Sequence, residues 1–228
     1  KCIDTTNITG RNVRRQLQDV DGIIVPGGFG TRGAEGKIAC VRFAREEKLP
    51  YLGLCLGFQM AVIEFARNVC GLRKANSTEI DPDCPEPVIS LLPEQKKLEG
   101  LGGNMRLGGR DIEIRSQTFA WRLFGRGKRG RMRFRHRYGV DPAYIEPLEG
   151  AGLVFSGKAP DHPIMQILEL PEHPFFMGTQ AHPCLTSRPL KPQPMFAGLV
   201  AAAIQHRYPD EQSPDCVRTV RRVCKAAT

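Results

Sequence analysis

Pro50 to Val69 reads PYLGLCLGFQMAVIEFARNV, and its two parts follow different periodicities. Pro50 to Leu54 is a short apolar run, the pattern of a strand buried on both faces. From Leu56 onward Phe58, Val62, Phe65 and Val69 recur at helical spacing, so an amphipathic helix over Leu56 to Val69 is expected to follow at once. Cys55 stands at the joint, with Gly53 two residues before it and Gly57 two after. Such an elbow forces its central residue into a tight backbone conformation, and glycines on both sides make room for it.

The same rhythm precedes this stretch. Val20 to Val25 (VDGIIV), closed by Pro26-Gly27-Gly28, reads as a buried strand and turn, and Ala34 to Lys48 (AEGKIACVRFAREEK) as an amphipathic helix stopped by Pro50. Strand, turn, helix, repeated, is the pattern of a parallel sheet covered on both faces. Farther on the signal weakens. Gly71 to Gly130, with turns around Asp81 to Pro87 and glycine pairs at Gly102–Gly103 and Gly108–Gly109, reads as short strands and long loops. Arg131 to Val140 (RMRFRHRYGV) opens with strict alternation, placing Arg131, Arg133, Arg135 and Arg137 on one face of a strand. Gly152 to Gly157, Ile164 to Leu170 and Pro174 to Gln180 read as further strands, Pro194 to His206 as a closing helix, and the tail after Tyr208 as basic, polar and frayed. The expectation is one α/β domain over residues 1–228, three-layered with a mainly parallel sheet.

Composition agrees with a single packed unit. The chain has 228 residues, 41% apolar and 25% charged, enough to bury a core. No apolar run approaches the length of a membrane span, and the opening KCIDTTNITGRNVRR lacks the apolar segment of a secretory signal. The eight cysteines form no C-x-x-C pair, which with the missing signal reads as reduced thiols in a cytoplasmic chain. His182 and Cys184 are the one close His/Cys pair, at a spacing unusual for zinc, so no metal is expected. Thirty-three Lys and Arg against 24 Asp and Glu give a net charge of +9. Eight of the basic residues lie between Arg122 and Arg137 without an acid among them.

Cys55 is the sharpest chemical candidate. At the positive end of the following helix, dipole and free N–H groups are expected to lower its thiol pKa and to receive an oxyanion. The alternative is a buried structural cysteine. A cysteine nucleophile needs a base, and among five histidines His182 stands where a residue at a strand end should, after the apolar run Phe175 to Gly178. His162 and His173 lie in loop-like sequence, His136 inside the arginine strand and His206 near a helix end. For His182 the alternative is a hydrogen-bonded loop histidine. The turn Pro26-Gly27-Gly28-Phe29-Gly30 offers backbone N–H groups that, with the N–H of Leu56, suit an oxyanion hole. No G-x-x-x-x-G-K-[ST] is present to suggest phosphate binding there.

In this order the chain carries PGGFG (Pro26 to Gly30), GLCLGFQ (Gly53 to Gln59), ANSTE (Ala75 to Glu79), GGNMRLG (Gly102 to Gly108), RHRY (Arg135 to Tyr138), His182-Pro183 and SRP (Ser187 to Pro189). Together they resemble the class I glutamine amidotransferase domain of the CTP synthase family, over about Asp21 to His206. MRLG, RHRY and SRP set this family apart from free-standing class I amidotransferases and gamma-glutamyl hydrolases. The resemblance implies a flavodoxin-like fold and hydrolysis of L-glutamine, the ammonia passing to a synthetase domain that converts UTP to CTP. Cys55 would attack the amide and His182 would shuttle protons. Gly28 and Leu56 would hold the oxyanion, and Gln59, Glu79, Arg137 and Tyr138 would grip the substrate. It implies no cofactor in this domain, with ATP and Mg belonging to the synthetase domain, and a homo-oligomer, a tetramer, in the full enzyme.

Three departures from the family accompany these matches. Its His-Pro-Glu is here His182-Pro183-Cys184, so the carboxylate that orients the histidine is replaced by a thiol. The strand and helix that open the family domain have no counterpart in the divergent start, residues 1–20, so a central strand is expected to be missing. No synthetase domain or Walker motif is present, so the chain reads as a fragment or shortened copy, with residues 209–228 a basic tail. Two further readings follow: a silent glutamine-binding protein, because of Cys184, and a basic nucleic-acid-binding module, because Phe124, Phe134 and Tyr138 interleave the arginines.

Overall fold

The computed structural model describes residues 1–92, 105–160 and 162–210. In chain order the elements are α1 (Val13–Leu17), β1 (Ile23–Val25), α2 (Ala34–Glu46), β2 (Tyr51–Leu54), α3 (Leu56–Asn68), β3 (Ala75–Ser77), β4 (Glu86–Leu91), β5 (Arg106–Ile114), α4 (Phe119–Leu123), β6 (Arg129–His136), β7 (Tyr138–Val140), α5 (Ile145–Gly150), β8 (Val154–Lys158), β9 (Met165–Glu169), β10 (Phe176–Thr179) and α6 (Pro194–Arg207). The glycine pair Gly102–Gly103 and the tail beyond residue 210 lie outside the described residues.

Seven strands form one sheet in the order β1-β2-β10-β9-β8-β5-β6, and β3-β4-β7 form a smaller one. The three-layer α/β expectation holds. Side chains alternate across β2: Tyr51 enters the core shared with α2 and α3, whereas Leu52 and Leu54 enter the core shared with α4 and α6. Tyr51 stacks on Phe176 with ring centroids 4.5 Å apart, tying β2 to β10 on the first face. On the other, Met195 and Leu199 of α6 share one core with Met177.

Within the large sheet parallel pairing is confined to β1, β2 and β10, and its four remaining pairs are antiparallel; in the smaller sheet β3 and β4 are parallel. Connection length explains two of the four antiparallel pairs, β8–β9 and β9–β10. A parallel pair needs a crossover of a dozen or more residues, which α2 supplies between β1 and β2. The segments joining β8 to β9 and β9 to β10 are too short for one. The parallel part is the one that matters for chemistry: Val25 pairs with Gly53, Gly53 with Gly178 and Leu54 with Thr179. The glycine turn after β1, Cys55 after β2 and Gln180 to His182 after β10 therefore emerge side by side.

Three expectations are modified. The helix after Cys55 has no solvated side near its start: Leu56 to Ala66 are all buried, because α2 and the smaller sheet cover what the main sheet does not. Glu64 is tolerated there because Arg45 chelates both its oxygens at 2.8 and 2.9 Å. Second, the loop-like middle contains β5, nine residues long and paired with β6 from Arg106↔His136 to Glu113↔Arg129. Third, the arginine strand divides at Arg137: β6 ends the large sheet, and β7 joins the smaller one. The arginines do alternate outward, as expected, and acids on β5 stand opposite Arg129 and Arg131, with Asp111 bonded to Arg131 at 2.7 Å. Residues 1–20 contain α1 and no strand, and their Ile8, Val13 and Leu17 pack against Cys40 of α2.

The close fit of α3 against β1 gives a direct test. A Cβ on Gly57 would lie 2.1 Å from the Val25 carbonyl oxygen, backbone that cannot yield cheaply. Gly57→Ala is expected to lower the unfolding free energy by about 2 kcal/mol or more, read as an earlier urea midpoint at unchanged slope. An unchanged midpoint would contradict the packing described.

Candidate active site

The elbow is built by sterics. Cys55 has φ 50° and ψ −96°, a left-handed conformation that a non-glycine residue keeps only when its surroundings enforce it. They do so from both sides. A Cβ on Gly53 would meet the Tyr51 hydroxyl at 2.6 Å and the Gly57 carbonyl carbon at 2.7 Å, so strand end and helix start touch through two glycines. Tyr51 donates its hydroxyl to the Gly57 carbonyl at 2.9 Å, and Cys55 N–H donates to the Thr179 carbonyl at 2.7 Å.

The Cys55 thiol faces the cleft yet is only 5% exposed. Its sulfur accepts from Gln180 Nε2 at 3.5 Å and donates to the Arg135 carbonyl at 3.7 Å. Burial pushes the thiol pKa up to about 11, against the opposing effect of the Leu56 N–H and the Gln180 amide, while the Glu79 charge adds to the rise. This corrects the expectation of a depressed pKa. The helix start does aim an N–H at the sulfur, but removal from water outweighs it.

His182 follows β10, with its N–H held by the Arg133 carbonyl at 2.8 Å. Burial lowers its pKa and the Arg135 charge adds to this, with the Arg135 carbonyl opposing. The ring is therefore neutral at pH 7, the form that accepts a proton. Its Nε2 is buried without a hydrogen-bond partner. A Cβ on Gly27 would lie 2.9 Å from His182 Cε1 and 3.5 Å from Cys55 Cβ, so both side chains close over the same glycine. Both also meet the Arg135 carbonyl. Cys184, in the turn Pro183–Leu185, is exposed.

A cleft of about 630 Å³ gathers most of the candidate residues: Gly28, Cys55, Gln59, Glu79, Arg137, Tyr138 and His182 line it. Leu56 contributes through its backbone, and Cys184 is not among the lining residues. Glu79 accepts from Gly30 N–H at 3.2 Å, tying the glycine turn to the far wall. Gln59, nearly buried, donates to the Tyr138 carbonyl at 3.1 Å and to Gln180 Oε1 at 3.2 Å. The chemistry this permits is nucleophilic attack by sulfur, proton transfer through a neutral imidazole, and recognition of a ligand bearing both a cation and an anion. No group of His, Cys, Asp and Glu among the described residues suits a metal ion, and no helix there is long and apolar enough to cross a membrane.

Phe29, Met105, Arg135 and His136 also line the cleft without being among the sequence-based candidates, and Gln180, which contacts Cys55, is not among them either. Gln180 precedes His182 by two in the segment that follows β10, a spacing visible in the sequence. His136 lines the cleft beside His182, its Nδ1 2.8 Å from the Tyr138 carbonyl. The alternation that turns the arginines outward turns His136 inward.

A family model described as glutamine amidotransferase class-I matches residues 3–202. The CTP synthase of Thermococcus gammatolerans is 57% identical over 209 residues, covering 91% of this chain and 39% of the relative. That of Thermus thermophilus is 50% identical over 212 residues, covering 91% and 38%. The chain thus spans about two fifths of the length of the curated relatives it matches. Among solved structures, the glutaminase domain of Trypanosoma brucei CTPS with bound acivicin superimposes with a TM-score of 0.84 at 35% identity, covering 90% of this chain and 80% of that one.

Burial of His136 makes stability depend on pH. Its pKa is lowered from 6.5 to about 4, chiefly by desolvation, with the Tyr138 carbonyl opposing and the charges of Arg106 and His182 adding. Between those values the unfolded chain binds a proton that the folded one refuses. Its contribution is thus complete above the unfolded value and is lost as pH falls toward the folded one, about 3 kcal/mol in all. His136→Leu is expected to flatten this part of the stability curve in urea titrations across pH. Equal slopes for the two proteins would contradict it.

Proposed function

The chain belongs to the class-I glutamine amidotransferase family, within which it is similar to the glutaminase domain of CTP synthase, and from that premise we propose that it hydrolyses L-glutamine through Cys55. The observation that supports this best is the strained elbow at Cys55 sharing one cleft with a neutral His182 and with charges of both signs. Glutamine has an ammonium and a carboxylate at one end and a neutral amide at the other. Arg137 suits the carboxylate, Glu79 the ammonium, and Gln59 and Tyr138 the length between.

The chemistry follows from the two pKa shifts. With the thiol raised and the imidazole lowered, the resting pair is neutral, SH and imidazole. As sulfur attacks the amide carbon, its proton passes to His182, and the carbonyl oxygen becomes an oxyanion received by the N–H groups of Gly28 and Leu56. The imidazolium then gives its proton to the departing nitrogen, releasing ammonia and leaving a thioester on Cys55. Water, losing a proton to His182, adds to the thioester; the sulfur leaves, recovers that proton, and glutamate is freed.

The exposed Cys184 favours a second reading, a slow or silent glutaminase that still binds glutamine. A thiol at this position supplies neither the charge nor the acceptor of the family's carboxylate. In serine proteases the loss of the corresponding acid lowers turnover by about ten-thousandfold. Cysteine depends less on its base, so the deficit here is smaller. The ammonia, in turn, would serve an ATP-dependent amination of UTP in a synthetase domain, which would hold the ATP and Mg and the contacts of a tetramer.

Ammonia release from glutamine tests both readings. Cys55→Ser is expected to abolish it, and Cys184→Glu to raise it by about tenfold to a thousandfold over the natural chain. Release that survives Cys55→Ser would overturn the mechanism. Equal rates for the natural chain and Cys184→Glu would remove the proposed deficit.

A further inference from the structure

Gln180 takes no part in the steps above, yet it joins the residues that do. It is fully buried, with its N–H bonded to the Gln166 carbonyl at 3.0 Å. Its side chain spans from Gln59, whose Nε2 it accepts from at 3.2 Å, to the Cys55 sulfur, to which it donates at 3.5 Å. The direction of these bonds is fixed from one end. The Tyr138 carbonyl can only accept, so the group Gln59 turns toward it is the nitrogen, at 3.1 Å. The second hydrogen of that nitrogen needs another acceptor, which must be Gln180 Oε1. Gln180 is thereby left with its own nitrogen facing sulfur. A backbone carbonyl in the substrate-facing wall thus determines, through two amides, that the sulfur meets a donor.

A donor at that place strengthens as sulfur gains charge, because hydrogen bonds to ionised acceptors exceed those to neutral ones. The Leu56 N–H is the other donor directed at the sulfur, and burial opposes both. We infer that Gln180 is a positioning residue of this site, holding the sulfur by an N–H whose direction is set by the Tyr138 carbonyl through Gln59 and easing formation of the thiolate. For turnover this rests on the glutaminase reading; for the state of the thiol it does not. A merely structural role for a buried amide affects stability and leaves the ionisation of Cys55 alone.

The experiment follows the rate at which iodoacetamide alkylates Cys55 as a function of pH, resolved by peptide mass spectrometry on the full chain. Gln180→Met keeps the length and volume of the side chain and removes the donor. Its profile is expected to move up by about one pH unit, with alkylation about tenfold slower where the thiol is mostly protonated. Superimposed profiles, with thermal unfolding still cooperative in the variant, would overturn the inference. Should Gln180→Met fail to fold, Gln180→Glu serves. Its carboxylate cannot donate once ionised, so the profile moves up again, and an unmoved profile is again decisive against it. Alkylation needs no turnover. A natural chain that alkylates but releases no ammonia therefore counts against the glutaminase reading alone.

Discussion

The left-handed backbone at Cys55 is the constraint from which the rest of the site follows. It costs on the order of 1–3 kcal/mol for a residue with a Cβ, and it persists because the surrounding structure leaves no alternative. Gly53 and Gly57 let the strand end and the helix start touch, Tyr51 clamps the first turn, and the Thr179 carbonyl holds the Cys55 N–H. Relaxation of Cys55 would have to move α3, whose first eleven residues are buried between two sheets and α2. The core thus keeps a sulfur at the lip of β2, between the turn that follows β1 and the segment that follows β10.

Placing the thiol in that position removes it from water, and this decides the electrostatics. Helix start and amide donors favour a thiolate, but burial prevails and holds the pKa near about 11. His182 is displaced the other way by the same cause. Two groups driven apart by one environment form a neutral pair between which a proton moves only as bond formation to carbon proceeds. The charge that develops on the imidazole is then supported by the Arg135 carbonyl, whereas Cys184 lies exposed in the following turn.

The parts legible in the sequence are those where one physical rule acts alone. The change from an apolar run to helical spacing at Cys55, flanked by glycines, located the elbow and both its elements to within a residue or two. The strict alternation of Arg131 to Arg137 likewise disclosed an outward arginine face. Where rules compete the reading is poorer. β5 carries Gly108, Gly109, Arg110 and Asp111 in succession, so no apolar alternation marks a strand that pairs along nearly its whole length. The antiparallel pairs β8–β9 and β9–β10 depend on loop lengths, which periodicity does not register. The raised thiol pKa depends on how deeply α3 is covered, a property of distant elements. Gln180 was within reach, two residues before a strand-end histidine, but its partners Gln59 and Cys55 are more than a hundred residues away along the chain.

The decisive observation is chemical. An electrophilic analogue of glutamine, incubated with the full chain at neutral pH and followed by peptide mass spectrometry, reads which of the eight cysteines is poised for attack. Resting thiols do not distinguish Cys55 favourably, because burial protects it. Selective labelling therefore requires that the cleft bind the analogue and that His182 take the proton. The expected result is modification of Cys55 alone, competed by L-glutamine and lost in His182→Ala. Labelling spread over the exposed Cys2 and Cys184 with Cys55 spared would contradict the amide-cleaving site.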